Sequence, residues 1–273
     1  MQRNDDRRFP SVRNRKVGPL PAMVAAAVIL GSLLAAPARA IQITSTEVVV
    51  PVAAHLPGLE GTQWRTDVWI VNPYSDTSQV TVTYYPEAGG TLTVTRQVEG
   101  YRGLSFRDIV LETFGLDRSK GMLIVASDAS ALEVRARIYN TGNACGEFGQ
   151  AIPGIPLDRL GRQGFLSGVS TAAGTRLSFG LANPTDETLE IQVHVDDMDT
   201  GEQVYLDPIT LGPHQLLQLD RVADLWDLPE RDSLVIATHT SGEARYYAYA
   251  SVVRNDTGDA TFLFGTAPNS GPR

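Results

Sequence analysis

Asn72-Pro73 and Asn183-Pro184 stand 111 residues apart, and each closes a run of alternating apolar and polar residues. The same offset pairs Thr77 with Thr188, Val80 with Ile191 and Val82 with Val193. One residue later in register, Asp108 matches Asp220, Val110 matches Val222, Phe114 matches Trp226 and Leu116 matches Leu228. Leu123 and Ala126 match Leu234 and Ala237 at the original offset, and Thr141-Gly142 and Phe148-Gly149 match Thr257-Gly258 and Phe264-Gly265 at 116. The drift falls where turns absorb insertions. A chain that repeats itself at a fixed spacing builds one supersecondary unit twice.

The unit is β. In "QVTVTYY" (79–85) Val80, Val82 and Tyr84 share one face, and "TLTVTRQV" (91–98) does the same with Leu92, Val94 and Val98. Period-two alternation of this kind marks half-buried antiparallel strands. The second copy answers with "LEIQVHV" (189–195) and "QVYLDPITL" (203–211), and each copy adds further strands, "MLIVAS" and "LEVRARIY", then "SLVIATH" and "ARYYAYASVV". One short helical segment is expected per copy, with Asp108 and Asp220 as N-caps and Gly115 and Pro229 as stops. About seven strands and one helical turn per copy predict an all-β chain of two tandem immunoglobulin-like antiparallel β-sandwich modules. A single closed barrel is the alternative. The boundaries fall at residues 41–154 and 155–273, with "AIPGIPLDRLG" (151–161) as the join or the opening strand of the second copy.

Residues 1–40 read as a secretory signal peptide. Arg3, Arg7, Arg8, Arg13, Arg15 and Lys16 give a basic start, Ala22–Ala36 an apolar run, and Ala38-Arg39-Ala40 a small-x-small cleavage site. A run of ~15 residues is short against the ~20 of a spanning helix. The expected location is therefore secreted: periplasmic, extracellular or on the cell surface, with no stable membrane insertion after cleavage. Of the 23 Lys+Arg and 31 Asp+Glu, seven and two lie in this segment, which leaves 16 basic and 29 acidic side chains and a net charge of −13. Nucleic acid is excluded as a partner, because phosphate contacts need clustered Lys and Arg. Cys145 is alone, so no intrachain disulfide forms. It reads as a small, partly buried residue, since no His lies near it in sequence to activate it.

The stretch "VPVAAHLPGLEGTQWRTDVWIVNP", with the later "FGQAIPGIP", resembles uncharacterised secreted bacterial proteins built from tandem immunoglobulin-like β-sandwich modules. The likeness spans most of the chain after residue 40. It implies an extracellular β-sandwich and brings no activity or functional residue with it.

Candidate chemistry is sparse. Asp199-Thr200-Gly201 and Asp256-Thr257-Gly258 have the triplet of aspartic proteases, but they lie 57 residues apart within one copy and their flanks are polar. Asp, Thr and Gly are also what a hairpin turn requires, and the turn reading is preferred. "DDMDTGE" (196–202) lacks the spacing of a calcium loop. His55, His194, His214 and His239 are scattered, so no metal site is expected, and His194, between Val193 and Val195, points outward from a strand. No nucleophile elbow or phosphate loop occurs. The expectation is a non-catalytic protein without cofactor, acting in surface adhesion or assembly through contacts with a protein or polysaccharide. The candidate contact residues are Trp64, Trp69, Tyr246, Tyr247 and Tyr249. A carbohydrate-binding protein using exposed tyrosines is the second reading, and a secreted hydrolase a distant third.

Overall fold

Alternation of period two becomes sheet wherever the apolar face finds a second layer. The computed structural model describes residues 44–142 and 146–265; the expected signal peptide and Cys145 lie outside the described residues. Eight strands make up the first half: β1 (Glu47–Pro57), β2 (Gln63–Val71), β3 (Ser78–Pro86), β4 (Leu92–Val98), β5 (Gly103–Phe106), β6 (Ser119–Ser127), β7 (Glu133–Asn140) and β8 (Phe148–Pro153). Sheet I has the order β4-β3-β6-β1 and sheet II the order β5-β2-β7-β8, and the corner Leu56–Trp64 between β1 and β2 joins them. The buried alternates of both, Val80, Val82, Tyr84, Leu123 and Val125 from sheet I and Val68, Ile70, Val134 and Ala136 from sheet II, form one core.

After the short β9 (Ile155–Pro156) the second half supplies β10 (Gln163–Val169), β11 (Thr175–Ala182), β12 (Leu189–Asp197), β13 (Gln203–Leu211), β14 (Leu216–Leu219), β15 (Leu234–His239), β16 (Tyr247–Arg254) and β17 (Ala260–Phe264). Sheet III runs β13-β12-β15-β10 and sheet IV runs β14-β11-β16-β17. Adding nine to each strand number of sheets I and II gives sheets III and IV. The chain is all-β and antiparallel, and its strand order repeats. The inner pairings β2–β5 and β3–β6 are those of strands B–E and C–F in an immunoglobulin sandwich. The flanking strands are exchanged: β1 lies beside β6, and β7 beside β2.

The expected helical turns are present, with different caps. Ile109–Thr113 is a single π-type turn and Val222–Leu225 a single α-turn. Asp108 precedes the first in the left-handed region (φ 37°), and its side chain makes no capping bond. Before the second, Arg221 takes that place (φ 56°), so Asp220 is not the cap; its carboxylate accepts from Ser178 and Gln218 instead. The π-turn holds one residue more than the α-turn, so the offset is 113 at Ile109/Val222 and 112 at Phe114/Trp226. Both aromatics then plug their sandwiches, Phe114 stacked on Tyr84 and Trp226 on Tyr205. Pro229 lies beyond the second turn, which ends at Leu225; Asp227, with φ 50°, occupies the position that Gly115 holds after the first turn.

The Asn-Pro marker is more than a stop. Asn72 and Asn183 are both fully buried. Each side chain donates to a carbonyl four residues on (Asp76, 2.6 Å; Glu187, 2.7 Å) and accepts an N–H two residues on, from Tyr74 or Thr185. Asparagine staples the turn, and proline keeps the strand from continuing.

The two halves do not stand apart, and the described residues fall in one compact unit. Residues 155–156 pair with Val49 and Val48 of β1, and the next strand, β10, opens at Gln163. The central part of sheet IV is buried on both faces. Leu177, Phe179 and Leu181 enter the second core, while Ala182, Leu216, Tyr247 and Tyr249 join the first. Gly180 makes this packing work. It lies directly opposite Tyr249 on one side and Gln218 on the other. The Tyr249 ring crosses the glycine, and its hydroxyl donates to Gln218 Oε1 at 2.9 Å. Lys120, the sole lysine after residue 40, sits at the same junction, 16% exposed, 3.5 Å from Glu87 and 3.5 Å from the Gln218 carbonyl.

A Cβ at residue 180 would lie 2.1 Å from Tyr249 Cζ, far inside van der Waals contact. Gly180→Ala is expected to lower stability by about 1–3 kcal/mol, the usual cost of overpacking, while Gly174→Ser, in a turn with open space around it, gives a smaller loss. Urea unfolding followed by circular dichroism measures both.

Candidate functional site

Because its counterpart in sheet IV is covered, the outer face of sheet II stands out as the open one. On β2, Val68 and Ile70 turn inward, so Arg65, Asp67, Trp69 and Val71 turn outward. Opposite them on β7 lie Tyr139, Arg137, Arg135 and Glu133, and Ser105 of β5 faces Trp69 from the other side. Trp69 is 41% exposed, and Val71, Tyr74 and Tyr101 are also exposed. Register matches these positions to sheet IV: Trp69 with Gly180, Arg135 with Tyr249, Glu133 with Tyr247, Arg137 with Ser251. Where one face carries rings that lie flat beneath a second layer, the other carries an indole among charges.

Those charges are held in place. Arg135 pairs with Glu133 at 2.6 Å and Arg137 with Glu147 at 2.5 Å, and the Arg137 guanidinium lies 4.8 Å from the Tyr139 ring centroid. At the end of the face a polar network fixes the loop after β5. Asp67 Oδ1 accepts the Asp108 backbone N–H at 2.9 Å and the Tyr139 hydroxyl at 3.1 Å. The Asp108 carboxylate meets buried His55 Nδ1 at 2.7 Å and Arg65 Nε at 3.4 Å. Burial, with the Asp67 charge and hydrogen bond behind it, pushes the Tyr139 phenol up to about 12. The sequence offered no sign of this network, because its members lie up to 84 residues apart and meet only when β1, β2, β7 and the π-turn loop assemble.

The predicted contact residues divide. Trp69 is on the open face. Trp64 is half-buried, its indole laid over Gly58 and against the first core. The three tyrosines are not exposed: Tyr246 and Tyr247 are 3% and Tyr249 is 1% accessible. Tyr246 turns into the second core and donates to Thr238 Oγ1 at 2.9 Å; Tyr247 and Tyr249 turn into the first. Strand alternation separated the two faces of β16 correctly, but both are covered, so these rings are unavailable to a sugar. The reading of exposed tyrosines is overturned by burial.

The other motifs resolve simply. Asp199-Thr200-Gly201 turns the β12–β13 hairpin and Asp256-Thr257-Gly258 the β16–β17 hairpin, with both glycines at φ 73°. Beside the first, Asp197 accepts the Asp199 N–H at 2.9 Å and the Ser233 hydroxyl at 3.1 Å; these bonds hold its carboxyl below the ordinary range. His194 does point outward, but it is not isolated, since its ring meets that of His239. Among the described residues no group of three or more His, Cys, Asp or Glu converges on one point, and no helix is long and apolar enough to cross a membrane.

Two measurements check this description. Burial raises the phenols of Tyr84, to about 12, and of Tyr246, Tyr247 and Tyr249 further still. A phenol raised in the fold keeps its full stabilisation below the unfolded value near 10 and loses it as pH climbs toward the folded value. Absorbance at ~295 nm is expected to show these four ionising together with unfolding, above about pH 10; independent ionisation in a folded chain contradicts their burial. The second measurement contrasts two outward residues of β2. Trp69→Ala is expected to change stability by no more than about 0.5 kcal/mol. Asp67→Ala leaves two donors unpaired and costs about 1–3 kcal/mol.

No protein-family model matches the chain, and no curated protein matches it. Among solved structures, the crystal structure of Thermotoga maritima 1070 is similar at 13% identity and a TM-score of 0.34, over 41% of this chain and 95% of that one. A β-glucuronidase from glycoside hydrolase family 2 is similar at 10% identity and a TM-score of 0.17, over 79% of this chain and 23% of that one. Likeness at this level assigns neither a fold family nor an activity.

Proposed function

We propose that the chain is a secreted, non-catalytic β-sandwich protein that acts in surface adhesion or assembly through the outer face of sheet II. Its partner is a like β-module on a second copy. One observation carries this reading: two faces match strand for strand, one is covered by a β-module of the same chain, and the other is open around Trp69. The same position in the strand order is already covered once within the molecule, although by an apolar rather than a charged face. Trp, Tyr and Arg dominate the energetics of protein contacts, because each brings a large contact area and a polar tip at modest entropic cost. Trp69 and Arg135 supply the indole and the guanidinium of that set, and the paired charges around them suit a reversible contact.

A second reading rests on the same indole. Trp69 lies between Arg135 and Ser105 in register, an arrangement in which a sugar ring stacks on the indole while its hydroxyls bond to the flanking groups.

Sedimentation velocity of the full chain across about 1–300 μM tests the first reading; weak interfaces fall in this range. Concentration-dependent association is expected, and Trp69→Ala or Arg135→Glu should abolish it with the melting temperature unchanged. A monomer throughout, or association indifferent to both substitutions, overturns it. Glycan-array binding lost in Trp69→Ala would establish the second reading instead.

A further inference from the structure

The histidines that the sequence scatters are partly gathered by sheet III. Across its outer face Phe165, Ala237, His194 and Leu206 stand in one register row, on β10, β15, β12 and β13. His239 lies two residues beyond Ala237 on β15, diagonally opposite His194. Ala237 presents only a methyl group, so the His194 imidazole meets that of His239: the ring centroids are 6.0 Å apart and the planes cross at 79°. His194 Nδ1 lies 3.2 Å from Asp196 Oδ2, on the same face of the same strand. A carboxylate on one imidazole nitrogen fixes the proton there and leaves the other nitrogen free as a ligand.

We propose that His194 and His239 form a two-imidazole site for a first-row divalent transition ion of the Cu2+ or Zn2+ type, with Asp196 as the residue that orients His194. Imidazole suits these ions and not Mg2+ or Ca2+, which take oxygen ligands. Two imidazoles bound to one ion through bonds of about 2.0–2.1 Å hold their centroids about 5–6.5 Å apart, which includes the separation found here. Both rings are reachable from solvent: the His194 side chain is 27% exposed and His239 is an exposed residue. No third donor from His, Cys, Asp or Glu converges among the described residues. Water therefore fills the remaining coordination positions, and the affinity is that of an open surface site, far below that of a four-ligand structural zinc. The site lies on the second half and owes nothing to the Trp69 face.

Isothermal titration of the full chain with CuCl2, and separately with ZnCl2, in a non-chelating buffer tests the site. One ion per chain is expected, with a dissociation constant of about 1–100 μM for Cu2+ and weaker binding of Zn2+, in line with the affinity order of these ions. His194→Ala and His239→Ala should each weaken binding at least tenfold, Asp196→Asn about tenfold, and His214→Ala not at all. All four positions are at least partly exposed, so melting curves are expected to confirm that the variants fold. The proposal is overturned if Cu2+ does not bind by about 1 mM, or binds equally well to both His194→Ala and His239→Ala. Unchanged affinity in Asp196→Asn removes the orienting role.

Discussion

The absence of a side chain at Gly180 decides how this chain is put together. Any larger residue there would lift the Tyr249 ring off sheet IV, and the ring would no longer reach Gln218 or lie flat enough to be covered. With the ring down, Tyr247, Tyr249, Leu216 and Ala182 make a smooth apolar floor that the first core closes over. The floor has one flaw, the Tyr247 hydroxyl, which is buried without a partner. Leaving such a group unpaired costs about 1–3 kcal/mol. Burying an aromatic side chain removes about 150–250 Å2 from water, worth about 4–6 kcal/mol at ~25 cal/mol per Å2. Ring burial wins, and the tyrosine stays in.

One strand order thus presents two different surfaces, and side chains alone set the difference. At matched positions sheet IV has Gly180, Tyr247 and Tyr249, and sheet II has Trp69, Glu133 and Arg135. Burying the Arg135–Glu133 and Arg137–Glu147 pairs permanently beneath a second layer would cost hydration that their attraction restores only in part, so within the chain the sheet II face stays uncovered and suits a contact that forms and releases. The indole at residue 69 then has no flat partner above it and projects. Lys120 reinforces the closed side, since its largely buried side chain brings the ammonium between Glu87 of the first half and a backbone carbonyl of the second.

Strand existence and face assignment were legible because alternation is a local property: Val80, Val82 and Tyr84 sit where the spacing put them. The repeat was legible for the same reason. What covers a face was not. Tyr247 and Tyr249 share a face by parity, but parity is silent on whether water or another sheet lies above it. Nor did the continuous run "VVVPVAAH" in β1 say that both of its faces are buried, or that Ile155-Pro156 returns to pair with it. Asp108 illustrates a further limit: an acid before a helical turn is a good cap by propensity, yet here tertiary contacts with His55 and Arg65 take its carboxylate elsewhere. Residues gathered from distant strands, such as His194 and His239, leave no trace in spacing at all.

The edges of the sheets narrow where any association can occur. Strands β4 and β13 end sheets I and III, and an unpaired edge invites strand addition by another chain. Each carries a charge on its core-facing side: Arg96 opposite buried Val80 and Asp207 opposite buried Val193. A strand added alongside would have to bury that charge. Pro208 removes one further donor from β13. The surplus of acidic over basic residues adds repulsion between copies that approach without specific alignment. Random edge pairing is therefore disfavoured on two grounds, one local and one global. Under the proposed self-association, a lasting contact uses a face where charges are already paired and an apolar ring projects, and among the sheets described that combination occurs around Trp69, between Arg135 with its Glu133 partner and Ser105.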